Sequence, residues 1–237
     1  MIKAQSDEPL EFLSETKPTI LAQMRGMLPV AVDTETTGLD CNFHEMCSVA
    51  LVVLTPDLTP FKGLLPFYFY FKPEHPERIE KKALEVNGLT LTQLQRDGQN
   101  PIDLADLLDV WFEKVKKKTG CEKLCPLGHN YQFDKGFIQP WIGQKHYDYM
   151  FHYHYRDSMN LALAINDIYA AHYQIPPFMS VSLTGMAKKL GVQLEHAHNA
   201  MYDAIAASQV YKALLRYPVP GSVLSTMEPP IDQKNYK

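Results

Sequence analysis

The sequence predicts a mixed α/β sheet with helices on both faces. Three observations predict it. Three β-type segments follow one another through short connections. The apolar spacing then changes from two to between three and four. After that, helical and strand segments alternate before a strong terminal helix. No internal repeat or linker divides the body. The expected organisation is an N-terminal arm at 1–27, one catalytic-sized domain at 28–217, and a flexible tail at 218–237 rich in Pro, Ser and polar residues.

Residues 1–27 read as a helical or irregular arm. Leu28–Val32 is an apolar run and forms the first strand. Cys47–Leu54, rich in β-branched residues, is the second. Thr55-Pro56-Asp57 reads as a turn. Phe67–Phe71 is the third strand, aromatic on both faces, and the short links favour an antiparallel meander. Pro76–Val86 is helical and ends at Asn87-Gly88. Pro101–Lys118 is a longer amphipathic helix whose apolar set is Ile102, Leu104, Ala105, Leu108, Trp111, Phe112 and Val115, stopped by Gly120. Leu124–Leu127 is a short buried strand, and Phe133–Ile142 is helical despite Pro140. Phe151–Tyr155 reads as a strand. Asp157 opens a helix to about Tyr173, Ser182–Leu190 forms a short helix ended by Gly191, and His198–Arg216 is the last helix.

The chain has 237 residues, 46% hydrophobic and 21% charged, an ordinary globular composition. Its net charge of −4 does not imply a broad basic surface that coats nucleic acid. It leaves room for an enzyme that grips a few nucleotides and lets metal ions carry the electrostatics. The lysine clusters at 81–82, 116–118 and 188–189 read as solvated helix faces or ends. The four cysteines form no C-x-x-C pair, the opening residues lack a signal-peptide pattern, and no apolar run is long enough to span a membrane. The expectation is a cytoplasmic protein with free thiols and no membrane partner.

The chemistry starts at Asp33-Thr34-Glu35-Thr36-Thr37-Gly38, directly after the first apolar run. Strand residues i and i+2 share a face, so Asp33 and Glu35 aim two negative charges at one spot. Like charges held close are costly unless a cation lies between them. Oxygen-only donors suit Mg²⁺ or Mn²⁺ better than zinc. Alone, a D-x-E is more often a polar strand end, so further carboxylates must decide. On the last helix, Ala200, Asp203, Ala207, Val210 and Leu214 fall at steps of three and four, and Asp203 is the polar member of that stripe. A carboxylate there needs a partner, either a structural cation or a metal. His198 lies five residues earlier, near the same helix end. In Gly128-His129-Asn130-Tyr131-Gln132-Phe133-Asp134, the acid falls one and two turns before Ile138 and Trp141 and tilts toward an apolar face. It would also suit a first helical turn through the dipole alone. Asp157 reads as an N-cap and is left out of the site.

Together, Asp33, Glu35, Asp134 and Asp203 with His198 resemble the DEDDh branch of the DEDD superfamily, the DnaQ-like 3′–5′ exonucleases. Asp33-Thr34-Glu35-Thr36-Thr37-Gly38-Leu39 is similar to the first family motif, His129-Asn130-x-x-Phe133-Asp134 to the second, and His198-Asn199-Ala200-x-x-Asp203-Ala204 to the third. The resemblance covers roughly Val30 to Leu215. The sister branch carries Tyr four residues before the last Asp, where this chain has Asn199. Val86-Asn87-Gly88-Leu89-Thr90 is similar to a family segment that often has His in place of Asn87. Leu39 and the Thr36-Thr37 backbone match positions that in the family touch the terminal nucleotide, and Asn130 of the second motif is a further substrate-binding position that the resemblance implies.

The resemblance implies an RNase H-like fold, with the meander continued by parallel strands. It implies two divalent ions, Mg²⁺ or Mn²⁺, held by Asp33, Glu35, Asp134 and Asp203, with His198 as general base. The leading reading is a 3′–5′ exonuclease on single-stranded or frayed DNA, in proofreading or in free-standing trimming, releasing nucleoside 5′-monophosphates. The alternatives are a 3′–5′ exoribonuclease on RNA or short oligoribonucleotides and a non-catalytic nucleic-acid-binding module. A polymerase partner and a homodimer stay open.

Overall fold

The computed structural model describes residues 20–221. Residues 1–19 and 222–237, which hold most of the expected arm and tail, lie outside the described residues.

Among the described residues, the sheet has five strands: β1 (Met27–Thr36), β2 (Met46–Val53), β3 (Phe67–Tyr70), β4 (Lys123–Gly128) and β5 (Arg156–Asp157). Their order is β3-β2-β1-β4-β5, with β1–β2 and β2–β3 antiparallel and β1–β4 and β4–β5 parallel. Among the described residues, eight α-helices surround it: α1 (Lys81–Asn87), α2 (Leu91–Asp97), α3 (Pro101–Thr119), α4 (Tyr131–Ile142), α5 (Gln144–Met150), α6 (Ser158–Ala171), α7 (Leu183–Leu190) and α8 (Ala200–Leu214). This is the mixed α/β, RNase H-like architecture expected from the sequence.

Alternation along the strands builds two cores. Leu28, Val30 and Val32 of β1 join Val49, Leu51 and Val53 of β2 under α3, α4 and α5. Ala31 joins Ala50, Val52 and Leu127 under Ala200, Ala204, Ala207 and Tyr211 of α8. The alanines on that second face let α8 lie close to the sheet. Burying each large aliphatic side chain contributes about 1.5–3 kcal/mol. A third cluster, with Ala162, Ile165, Met186, Val210 and Leu214, ties α6 and α7 to α8.

Several boundaries differ from the sequence expectation. β1 runs on to Thr36, so Asp33 and Glu35 lie within the strand and not beyond its end. Pairing with β2 carries it there, with Asp33 opposite Ala50 and Glu35 opposite Ser48. Phe151–Tyr155 is not a strand. It makes one bridge, Phe151 to Leu124, before Arg156 pairs with Leu127. Between those two pairings this segment carries more residues than β4, so it bulges away from the edge. α2 and α5 are short helices that weak periodicity did not announce. The expected helix Pro76–Val86 divides into a 3₁₀ turn at Pro76–Arg78 and α1. The stops hold: Gly88, Gly120 and Gly191 each take a left-handed C-cap at φ 66°, 71° and 69°. Among the described residues, no helix is long and apolar enough to cross a membrane.

Candidate active site

The sheet itself opens the site. β1 is flanked on both sides only as far as Ala31, which pairs with Leu127 of β4. At Gly128 β4 ends and the chain turns into α4, while β1 continues beside β2 alone. Asp33, Thr34 and Glu35 line the resulting cleft of about 250 Å³. Its other walls come from His129, Asn130, Phe133 and Asp134 at the start of α4, from Ser182, Leu183 and Thr184 at the start of α7, and from His198 and Asp203.

Strand parity sends Asp33 and Glu35 to the α8 face, where Asp203 waits in the first turn. Asp33, Glu35 and Asp203 each present one oxygen within 4.8 Å of the others. Asp134 lines the same cleft but stands outside that group. Its Oδ1 accepts two hydrogen bonds from Thr34, from the backbone N–H and from Oγ1, both at 2.8 Å. The residue between the two strand acids therefore faces α4 and fixes the fourth carboxylate. Sequence reasoning passed over Thr34, although period two places it on the face opposite Asp33.

Asp203 Oδ2 accepts the backbone N–H of His198 at 2.9 Å, whereas Asp203 Oδ1 is buried without a hydrogen-bond partner among the described residues. An unsatisfied buried acceptor is costly, and a cation beside it would satisfy it. The donor set, carboxylate oxygens only, suits a hard divalent ion. The residues present therefore fit a divalent metal. His198 precedes the helix instead of beginning it. α8 starts at Ala200 with Asn199 as its N-cap, and His198 lies in the left-handed region at φ 65° with its side chain exposed. His196, at the wrong offset, turns its ring against Tyr202, with centroids 4.9 Å apart.

Electrostatics follow from this crowding. Desolvation raises Asp33 well above the usual carboxylate range, and the charges of Asp134, Glu35 and Asp203 add to it. Desolvation and Asp203 push Glu35 to about 8. Desolvation lifts Asp134 to about 7 against the opposing hydrogen bonds of Thr34, and it raises Asp203 as well. These carboxyls hold protons more tightly folded than unfolded. Their contribution to stability is complete below the ordinary value near pH ~4 and is lost as pH rises through the folded values. The metal-free protein should therefore lose thermal stability between about pH 5 and 9, the window spanned by those shifts. Saturating Mg²⁺ should flatten that slope, because ions displace the same protons. Melting curves with EDTA or Mg²⁺ across that range check it. A metal-free Tm that rises toward pH 9 would contradict the crowded-carboxylate picture.

Asp157 does more than the N-cap expected of it. Its Oδ1 accepts from the N–H groups of Met159 (2.9 Å) and Asn160 (3.1 Å) and so caps α6. The carboxylate also accepts from Asn130 N (3.2 Å) and Tyr131 N (2.8 Å). It thereby caps α4, whose own N-cap, Asn130 at φ 63°, makes no side-chain cap bond. Each such cap contributes about 0.5–2 kcal/mol, and this one holds the helix that carries Asp134.

The expected nucleotide-binding positions divide. Leu39 is 79% exposed, and Asn130 is exposed on the cleft wall. Thr36 and Thr37 are buried. Thr36 Oγ1 donates to Gly38 O at 2.7 Å, and its own carbonyl accepts from Asn87 Nδ2 at 3.2 Å. The Thr37 N–H donates to Glu45 O, its carbonyl accepts from Glu80 N, and its Oγ1 accepts from Glu45 N. These threonines shape the turn that presents Leu39. Cys121 and Cys125 are buried, away from the cleft lining.

The exonuclease (RNase T) family model matches residues 30–211. Ribonuclease T of Hahella chejuensis is 30% identical over 132 residues, 54% of this chain and 59% of that protein. Ribonuclease T of Actinobacillus pleuropneumoniae is 24% identical over 199 residues, 81% of this chain and 85% of that protein. Among solved structures, E. coli exonuclease I in complex with a dT13 oligonucleotide matches with a TM-score of 0.58 at 20% identity, covering 78% of this chain and 40% of that one. Exonuclease I of Methylocaldum szegediense matches with a TM-score of 0.62 at 18% identity, covering 80% and 40%. This chain thus spans less than two thirds of the Hahella protein and less than half of either exonuclease I, and the structural likeness is one of fold. Because the family match spans most of the chain and contains all three acidic motifs in order, the chain belongs to the exonuclease family, in its DEDDh branch.

Proposed function

We propose that this protein is a divalent-metal-dependent 3′–5′ exonuclease that releases nucleoside 5′-monophosphates from the 3′ end of single-stranded or frayed DNA. The observation that carries the reading is the meeting of Asp33, Glu35 and Asp203 within 4.8 Å at the end of a cleft that also exposes an imidazole. Asp33, Glu35 and Asp203 would hold a divalent ion, and Asp134 would contribute from the α4 side of Asp33. Mg²⁺ or Mn²⁺ bound there would supply positive charge opposite the phosphate oxygens and acidify the attacking water. His198, exposed beside the carboxylates, would take the proton from that water. Such a base contributes about 10²–10⁴-fold. Leu39 offers an apolar surface for the terminal base, and Asn130 offers a polar group at the rim. Thr34 and Asp157 keep Asp134 in place. Four thiols and this chemistry suit a reducing, cytoplasmic setting.

DNA is the first substrate because the fold is that of enzymes solved with dT13 and dA16 oligonucleotides. RNA is the second reading, favoured by two relatives that are ribonuclease T. The test is digestion of matched 5′-labelled DNA and RNA strands with Mg²⁺ or Mn²⁺. Strands with a free 3′ hydroxyl should shorten stepwise to mononucleotides, and strands blocked at the 3′ end should persist. The faster strand of the pair names the substrate. Rapid cutting of a closed single-stranded circle would mean an endonuclease and overturn the reading.

A further inference from the structure

Beside the acidic cleft lies a hydrogen-bonded row that the proposed mechanism does not use. Tyr68 and Tyr70 stand two residues apart on β3 and share a face. Their hydroxyl oxygens are 2.8 Å apart. Tyr68 Oη also accepts a hydrogen bond of 3.0 Å from Nδ2 of Asn199. Asn199 is the N-cap of α8, and its Oδ1 accepts the N–H of Met201 at 3.1 Å. The Asn199 amide is therefore held at both ends. Its oxygen sets the start of α8, and its nitrogen ties that start to a strand 131 residues away in sequence.

The residue just before this clamp is His198, at φ 65°. A β-carbon disfavours that conformation, so it persists where the surroundings impose it. Two contacts do so here. On one side the His198 N–H is bound by Asp203 Oδ2 at 2.9 Å, and on the other Asn199 is bound by Tyr68. The His198 side chain is exposed, so its direction is set by its backbone more than by packing. A hydroxyl on β3 thus reaches the imidazole through one amide. N-capping alone does not require this arrangement, since Asn199 Oδ1 caps the helix without Nδ2.

We propose that Tyr68 is a positioning residue for His198: its hydroxyl, acting through Asn199, holds the left-handed turn that presents the imidazole to the cleft. The inference rests on the reading of His198 as general base. Tyr68→Phe removes the hydroxyl and keeps the ring, which packs against the core under α8. Asn199→Ser keeps an equally good N-cap but has no amide to reach Tyr68.

Single-turnover and steady-state rates on a 3′-hydroxyl oligodeoxynucleotide with Mg²⁺ test it. Tyr68→Phe should lower kcat about 10-fold with KM little changed, within the roughly 10² that a 1 Å misplacement can cost. Asn199→Ser should give the same loss, and the double variant should lose no more. In a His198→Ala background, Tyr68→Phe should have no further effect, because the group it positions is gone. A second readout does not depend on activity. The His198 ring signals of ¹³C-labelled protein, assigned by their loss in His198→Ala, should move in Tyr68→Phe while those of His129 stay. Wild-type rate in Tyr68→Phe, the same loss persisting in the His198→Ala background, or unmoved His198 signals would each overturn the positioning role. A wild-type protein inert on every 3′ end would instead overturn the proposed function.

Discussion

Asp33→Ala should leave no measurable hydrolysis with either Mg²⁺ or Mn²⁺, a loss beyond the ~10²–10³-fold typical of removing one stabilising donor from an active site. The reason is its place among the acids. Asp33 is the carboxylate on which the charges of Asp134, Glu35 and Asp203 all act. On the proposed reading Asp33 would help to hold both cations, and without it neither would be fully held. The same crowding gives a second, opposite signature. Without metal, Asp33→Ala relieves repulsion and removes a desolvated acid, so its Tm should equal or exceed that of the wild type. Activity assays and melting curves with EDTA and with Mg²⁺ check both halves. Full activity in Asp33→Ala would refute the two-metal reading, and a large loss of metal-free Tm would mean that Asp33 holds the fold.

His198→Ala should lose about 10²–10⁴ in rate while keeping metal and oligonucleotide binding. The structure separates the imidazole from the carboxylate group. His198 is bound to Asp203 through its backbone N–H, which an alanine retains. Among the described residues, the three oxygens within 4.8 Å come from Asp33, Glu35 and Asp203. Calorimetric titration with Mg²⁺ should be unchanged. Metal affinity falling in step with activity would make His198 a ligand. Damage from His196→Ala with a silent His198→Ala would move the chain out of the DEDDh branch.

Much of this was legible in the chain because it follows from local rules. Period two placed Asp33 and Glu35 on one face, and the same alternation sorted Val30 and Val32 from Ala31 into two cores. Steps of three and four put Asp203 on the stripe of α8 that meets the sheet. Glycines marked the ends of α1, α3 and α7, and Asp157 stood where α6 needed a cap. Three acidic motifs in order then named the family, which the match over residues 30–211 shows.

What the tertiary structure decided are the contacts that no window of sequence contains. Thr34 meets Asp134 across 100 residues, and Asn199 meets Tyr68 across 131. Asp157 reaches back to cap α4 because β5 lies beside the end of β4. Phe151–Tyr155, rich in strand formers, does not form a strand, since β4 offers fewer partners than it has residues. Thr37 meets Glu45 and Glu80, eight and 43 residues further along the chain. The physical reason is common to all of these. Backbone period and capping are set within a few residues, where conformational preference acts. Which polar groups meet depends on the order of strands, and that order is fixed only when both faces of the sheet are buried at once.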